Sequence, residues 1–160
     1  MFDSPAVKPL ILLLRLSMAW VFLYAASHQI FGGFSVAGFL GSTRTFHWLY
    51  GPMASEPVAG VLSYLVAYGH LLIGLSLLAG LFTRAGAIAG IGLMLLYWMA
   101  HMDFPYISDH NNFLVDEHIV DALVLGLLIA THAGHYVGLD AWARKQPTVS
   151  HTPWLTWVTT

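Results

Sequence analysis

Apolar residues in this chain run in long stretches, broken by single polar positions, and do not alternate with them. Four such stretches stand out. They run from about Leu10 to Phe31, Val58 to Phe82, Ala85 to Met102 and Phe113 to Ala133. Each has roughly the ~20 residues that a helix rising ~1.5 Å per residue needs to cross ~30 Å of hydrocarbon. Backbone polar groups find no partner in lipid, so these stretches predict helices and not strands. Glycines punctuate two of them. "GAIAG", Gly86 to Gly90, has the small-residue spacing that lets helix backbones approach closely. The second and third helices are therefore expected to form a tight hairpin around "FTRAG", Phe82 to Gly86.

Between the first two stretches lies a long connection, Gly32 to Pro57, rich in glycine and aromatic residues. Trp48 and Tyr50 suit a membrane interface, and a short interfacial helix is expected near Val36 to Trp48. The third connection, "DFPYISDHNN" (Asp103 to Asn112), reads as turns around Pro105. The tail after Gly134 carries Trp142, Trp154 and Trp157 and is expected at the other interface. The first stretch follows Lys8 without a small-residue cleavage site, so it reads as a retained span and not a signal peptide.

Composition reinforces the pattern. Of 160 residues, 58% are hydrophobic and only 9% charged, with a mean hydropathy of +0.70. Soluble domains carry about 25% charged residues, so this chain lacks the polar surface to face water. The expectation is an all-α integral membrane four-helix bundle, residues 1–160 forming a single multi-pass domain in the cell membrane. The few charges set a direction. Lys8, Arg84, Arg144 and Lys145 fall on one side, with Arg15 near the same end of the first helix. The other side holds Arg44 with Glu56, Asp103 and Asp109. The positive-inside rule then places both termini in the cytoplasm. A net charge of −2 offers no footprint for nucleic acid. Without cysteine there are no disulfides, thiolate metal ligands or cysteine nucleophiles.

The candidate chemistry lies in the interrupting polar residues. Ionisable groups within spans usually face the bundle interior and mark a relay or ligand site. His70 lies nearest mid-membrane, inside "YGHLLIG". His28 and His101 fall near the outer ends of the first and third helices. "VDEHIVDA", Val115 to Ala122, puts Asp116, Glu117, His118 and Asp121 within two turns, with Asp121 on the face of Glu117 and His118. A plain alternative is that Asp116 and Glu117 favour a helix N-terminus; Asp121 lies too deep for that. His47, His110 and His151 read as solvated loop residues. His132 and His135 read as complements to the C-terminal dipole of the fourth helix. Arg15 reads as a snorkelling or interhelix partner, with a buried pair to a carboxylate as the alternative.

Three chemistries fit this set. Quinones need hydrogen-bond partners for their carbonyls and a group that exchanges protons, which histidine and carboxylate supply. Haem b can take two imidazoles from facing helices, here from His28, His70, His101 and His118. Histidine with carboxylate can hold a divalent metal, although no H-E-x-x-H occurs.

The chain also resembles the DoxX/DoxD family of small four-helix membrane proteins, which includes the small subunit of thiosulfate:quinone oxidoreductase. The likeness rests on "LLLRLSMAWVFLYAASHQIF" (Leu12 to Phe31) with its early arginine, "FSVAGFL" (Phe34 to Leu40), "YGHLLIGLSLLAGLFTRAGAIAG" (Tyr68 to Gly90), and "DEHIVDALVLGLLIATHAGHYVGLDAW" (Asp116 to Trp142). Members often carry Glu where this chain has His70, and Lys near "ASHQ" (Ala26 to Gln29). The resemblance implies a membrane subunit serving quinone-linked electron transfer, with thiosulfate as a sulfur substrate and other subunits of a redox complex as partners. In this picture a quinone head group is expected between the first, third and fourth helices, with His28, His70, His101 and His118 as the cofactor-binding set. His118 or His101 donates to one carbonyl, His70 is a central ligand or relay, and Glu117, His118 and Asp121 handle protons. The alternatives are a haem b anchor, with His70 as one axial ligand, and a non-catalytic structural subunit.

Overall fold

The computed structural model describes residues 7–107 and 112–159. Asp109 and His110 lie outside the described residues. The chain is mostly helical. Its long helices are α1 (Val7–Phe31), α4 (Val58–Ala79), α5 (Thr83–Ala100) and α6 (Glu117–Ala130). The first three are long and apolar enough to cross a membrane. Large apolar side chains cover their outer faces: Leu13, Trp20, Leu65, Leu72 and Leu96 are all at least half exposed. An apolar surface of that extent belongs against lipid.

The sequence pattern overestimates the fourth helix. The apolar run continues back through Phe113, but α6 has 14 residues, about 21 Å at ~1.5 Å per residue. Asp116 sets its start. Its carboxylate accepts from the backbone N–H groups of His118 (3.1 Å) and Ile119 (3.4 Å), satisfying donors that a helix start leaves unpaired. Leu114, just before, takes a left-handed φ of 60°. Asn112 and Phe113, just before it, belong to a small antiparallel sheet absent from the sequence expectation. Its strands are β1 (Met102–Asp103), β2 (Tyr106–Ile107) and β3 (Asn112–Phe113), in that order, with Met102 opposite Ile107 and Tyr106 opposite Phe113.

The four long helices close a ring: α1 against α4, α4 against α5, α5 against α6 and α6 back on α1. Phe22, Ile73, Leu77, Met94, Leu125 and Leu128 fill its centre. The expected α4–α5 hairpin forms. A Cβ on Gly86 would lie 2.5 Å from Ser76 Oγ, and one on Gly90 would lie 2.8 Å from Leu125 and 3.1 Å from Phe22. Gly80 ends α4 at φ +61°, the left-handed geometry that favours glycine at a helix C-terminus.

At this turn end Arg15 is buried, neither snorkelling nor reaching only to another helix. Its guanidinium donates to the carbonyls of Ala133 (2.7 Å), Tyr136 (3.0 Å) and Val137 (2.8 Å). These lie in the bend after α6, where the helix has ended and carbonyls need donors. The bend leads to α7 (Asp140–Ala143). The fully buried Asp140 accepts from the N–H groups of Phe82 (2.7 Å) and Thr83 (3.1 Å), capping α5 from a distance. The tail continues through α8 (Pro147–Ser150) and α9 (Pro153–Val158). It is tied back where His135 Nε2–H donates to the Thr159 carbonyl at 2.7 Å and where Arg84 lies over the Trp157 ring.

The opposite end is covered by the long connection. In place of one interfacial helix it forms α2 (Ala37–Gly41), α3 (His47–Tyr50) and a 3-10 turn (Gly51–Ala54). Val36, Leu40 and Tyr50 seat this cap on Ala59 of α4 and Ala100 of α5. The Tyr50 hydroxyl donates to the Leu96 carbonyl at 2.9 Å. Arg44 pairs with Asp103 at 2.7 Å, joining cap and sheet.

Candidate functional site

Near the capped end, all four long helices contribute a polar side chain to one region. α4 supplies His70, only 3% exposed. α5 supplies Tyr97 and His101, one turn apart on one face. α6 supplies His118, and α1 supplies Gln29. Tyr97 is the centre. Its ring lies 5.8 Å from that of His70 and 5.7 Å from that of His118, between centroids. The Gln29 side chain sits beside its hydroxyl. His101 and His118 stack at 5.0 Å with 25° between planes. Phe22 packs on His70 from below and Phe39 of the cap packs on His101 from above.

The three imidazoles are held alike. His70 Nδ1 lies 2.8 Å from the Val66 carbonyl, and His101 Nδ1 lies 2.9 Å from the Tyr97 carbonyl. His118 Nδ1 lies 2.7 Å from Asp116 Oδ2. Each partner can only accept, so each Nδ1 carries the proton and Nε2 is the ring's basic atom. An imidazole oriented in this way presents one defined nitrogen for a ligand or a proton. Asp116 therefore caps α6 and also orients His118.

The structure brings together three of the residues singled out from sequence: His70, His101 and His118. Asp121 is half-buried one turn further along α6 and feels the charges of His118, Glu117 and Asp116. Glu117 is exposed. His28 stays on the exposed face of α1, its ring edge-on to Tyr24 at 4.5 Å. His47 is exposed, as expected, but lies in α3 rather than in a loop. Two members of the group escape sequence reasoning. Tyr97 resembles the other aromatic residues of an apolar helix, although it stands four positions before His101. Gln29, beside His28, carries no charge to draw notice.

Asp116, Glu117 and His118 can each bring one ligand atom within 4.8 Å of the others. The Asp116 oxygens are already engaged by two backbone N–H groups and by His118 Nδ1. The trio thus serves the helix start, and a cation there would compete with it.

Two clefts flank this group. One, of about 350 Å³, lies between the cap and α4–α5. Phe39, Met53, Leu62, Val66, Leu96 and the Tyr97 ring line it, all through carbon. The other, of about 430 Å³, lies between α1 and α4. Gln29, Ser35, Glu56, Ser63, Tyr64 and Tyr68 give it a mixed lining. The Val36 N–H donating to Ser63 Oγ at 3.0 Å stands between the two.

A helical chain with lipid-suited outer faces and an interior group of imidazole, phenol and amide is a membrane protein with a buried polar centre. The DoxX family model matches residues 10–102, more than half of the chain. The chain belongs to the DoxX family. The matched region holds Gln29, His70, Tyr97 and His101, and ends before His118. No curated protein and no solved structure matches the chain.

Proposed function

We propose that this chain is a multi-pass subunit of the cell membrane that supports quinone-linked electron transfer, with a sulfur compound such as thiosulfate as the reductant's source. The observation that carries the reading is the meeting of Gln29, His70, Tyr97, His101 and His118, from four helices, beside clefts of ligand size. Reducing a quinone to a quinol takes two electrons and two protons. Imidazoles with a free Nε2 can exchange protons with the quinone oxygens through intervening groups such as the Tyr97 hydroxyl. Glu117 and Asp121, toward the capped end of α6, extend that path to the surface. In this reading the electrons come from a partner subunit that oxidises the sulfur compound.

In this reading α6 completes the crossing as a fourth span. Leu123 is 70% exposed and faces lipid. Lys8, Arg84, Arg144 and Lys145 gather at the turn end, which the positive-inside rule makes cytoplasmic together with both termini.

Haem b draws less support. Tyr97 lies between His70 and His118, and His101 and His118 stack side by side. Axial ligands must instead face each other across the iron. An absorption spectrum of protein made with ample haem separates the readings: a Soret band would favour haem.

The test is to titrate decylubiquinone and menadione into the protein purified with its co-purifying subunits in lipid nanodiscs. A rise in melting temperature and reduction of the added quinone by thiosulfate are expected. If neither occurs, the quinone reading is rejected.

A further inference from the structure

The purely carbon-lined cleft offers a quinone head group nothing to hold its oxygens. The mixed cleft between α1 and α4 does. We propose that the quinone head group binds there, with Gln29 as its hydrogen-bonding partner and the Tyr64–Tyr68 pair as its stacking surface. This rests on the quinone reading above and assigns it a place.

The first observation is an orphaned atom. Gln29 Oε1 is buried without a hydrogen-bond partner, while the same side chain lies beside the Tyr97 hydroxyl. A buried polar atom without a partner costs stability and needs a reason. Gln29 lines the α1–α4 cleft, so a rotation of its side chain would bring this oxygen to a donor in the cleft. A quinol hydroxyl is such a donor. The amide can also turn over and present its NH2 group to a quinone carbonyl, and the Tyr97 hydroxyl can either donate or accept in response. The pair therefore suits both oxidation states of one ligand without moving the backbone.

The second observation is the lining. The rings of Tyr64 and Tyr68 lie 4.3 Å apart on one face of α4 and are 62% and 38% exposed. The two rings lie against each other at a tilt of 32°, so the pair presents an outer ring face on which a planar head group can stack. Among the described residues no Lys, Arg or His lines the cleft, and Glu56 does, its Oε2 accepting from the Gly60 N–H at 3.1 Å. A carboxylate with no cation beside it disfavours an oxyanion such as thiosulfate and favours a neutral ligand. The third observation is continuity. Gln29 touches both the cleft and Tyr97, and Tyr97 stands between His70 and His118. A head group at Gln29 is thus linked to the imidazoles without contacting them.

The experiment is photolabelling in native membranes with an arylazide quinone, with decylubiquinone as competitor, followed by peptide mapping. Competed label is expected on the segments that carry Gln29 and Tyr64–Tyr68. Gln29→Leu, checked to be folded by its helical circular-dichroism signal, should weaken decylubiquinone binding by about tenfold or more. Competed label around Met53 and Leu62, or at His118, would overturn this site and leave the quinone reading standing. Unaltered affinity in the Gln29→Leu protein would also overturn it. No competed label anywhere would overturn the quinone reading and this site with it.

Discussion

The rings of His101 and His118 stack at 5.0 Å, although a three-stranded sheet separates them along the chain. His118 is oriented by Asp116 on its own helix, and His101 by the Tyr97 carbonyl one turn back. Packing and chemistry can therefore be separated at this contact. His118→Phe keeps a flat ring in the stack and leaves Asp116 capping α6. It should fold with a melting temperature near that of the parent, yet lose quinone reduction by about a hundredfold or more, the lower end of what a positioned acid or base supplies. Asp116→Ala should also lower stability by about 0.5–2 kcal/mol, because the cap goes too. Thermal melts and quinone-reduction assays on the two variants check this. Full activity in His118→Phe would make the stack purely structural.

Arg15 serves the other end of the molecule. Its three carbonyl partners lie in one bend, and Gly80 and Gly138 leave room for its guanidinium: a Cβ on either would lie 2.7 Å from Arg15 Nη1. Arg15→Ala would strand the buried Ala133 carbonyl and take the donor from those of Tyr136 and Val137, and should cost about 1–3 kcal/mol. Arg15→Lys should recover little, since an ammonium lacks the planar fork that reaches Ala133 and Val137 together. Denaturant melts in mild detergent provide the measurement. A lysine variant as stable as the parent would show that charge alone suffices.

The sequence made the long helices legible because lipid imposes its own rule: an apolar stretch of spanning length must be helical. It also singled out His70, His101 and His118, because imidazoles inside apolar stretches are costly. The start of α6 was written in Asp116, yet hydrophobicity alone carried the span past it through Phe113 and Leu114. Strands of two residues are too short to show a period, so the sheet at Met102–Phe113 was read as turns. Gln29 and Tyr97 were hidden for another reason. Their meeting depends on how four helix faces turn toward one another, and neither residue is unusual on its own helix. Arg15 stood out as a charge, but its carbonyl partners lie beyond the end of α6, where no periodic pattern points.

Glycines of α5 that look alike in sequence should behave in opposite ways. A Cβ at Gly90 would meet Leu125 and Phe22 where α1, α4, α5 and α6 cross, whereas one at Gly92 would meet nothing within 4 Å. Gly90→Ala should therefore destabilise by about 1–3 kcal/mol through overpacking. Gly92→Ala should be neutral, or stabilise by up to about 1 kcal/mol through better helix propensity. Paired melting curves decide between them. Equal effects at both positions would contradict the packing of α5 at the bundle centre.

Tyr50 gives a pH dependence outside the spanning helices. Burial beneath the cap raises its hydroxyl above the ordinary value of 10.0, and that hydroxyl holds the Leu96 carbonyl. The unfolded chain releases this proton more readily than the folded one. The stabilisation is thus fully present below about pH 10 and declines as pH rises from there toward the folded-state value. Melting temperatures measured in detergent from pH 8 to 11 should fall above pH 10 in the parent. Tyr50→Phe should be less stable at pH 8 by about 1 kcal/mol, the usual net worth of one hydrogen bond, and its curve should fall less steeply above pH 10. Parallel curves for the two proteins would mean that the Tyr50 proton is not what couples the cap to α5.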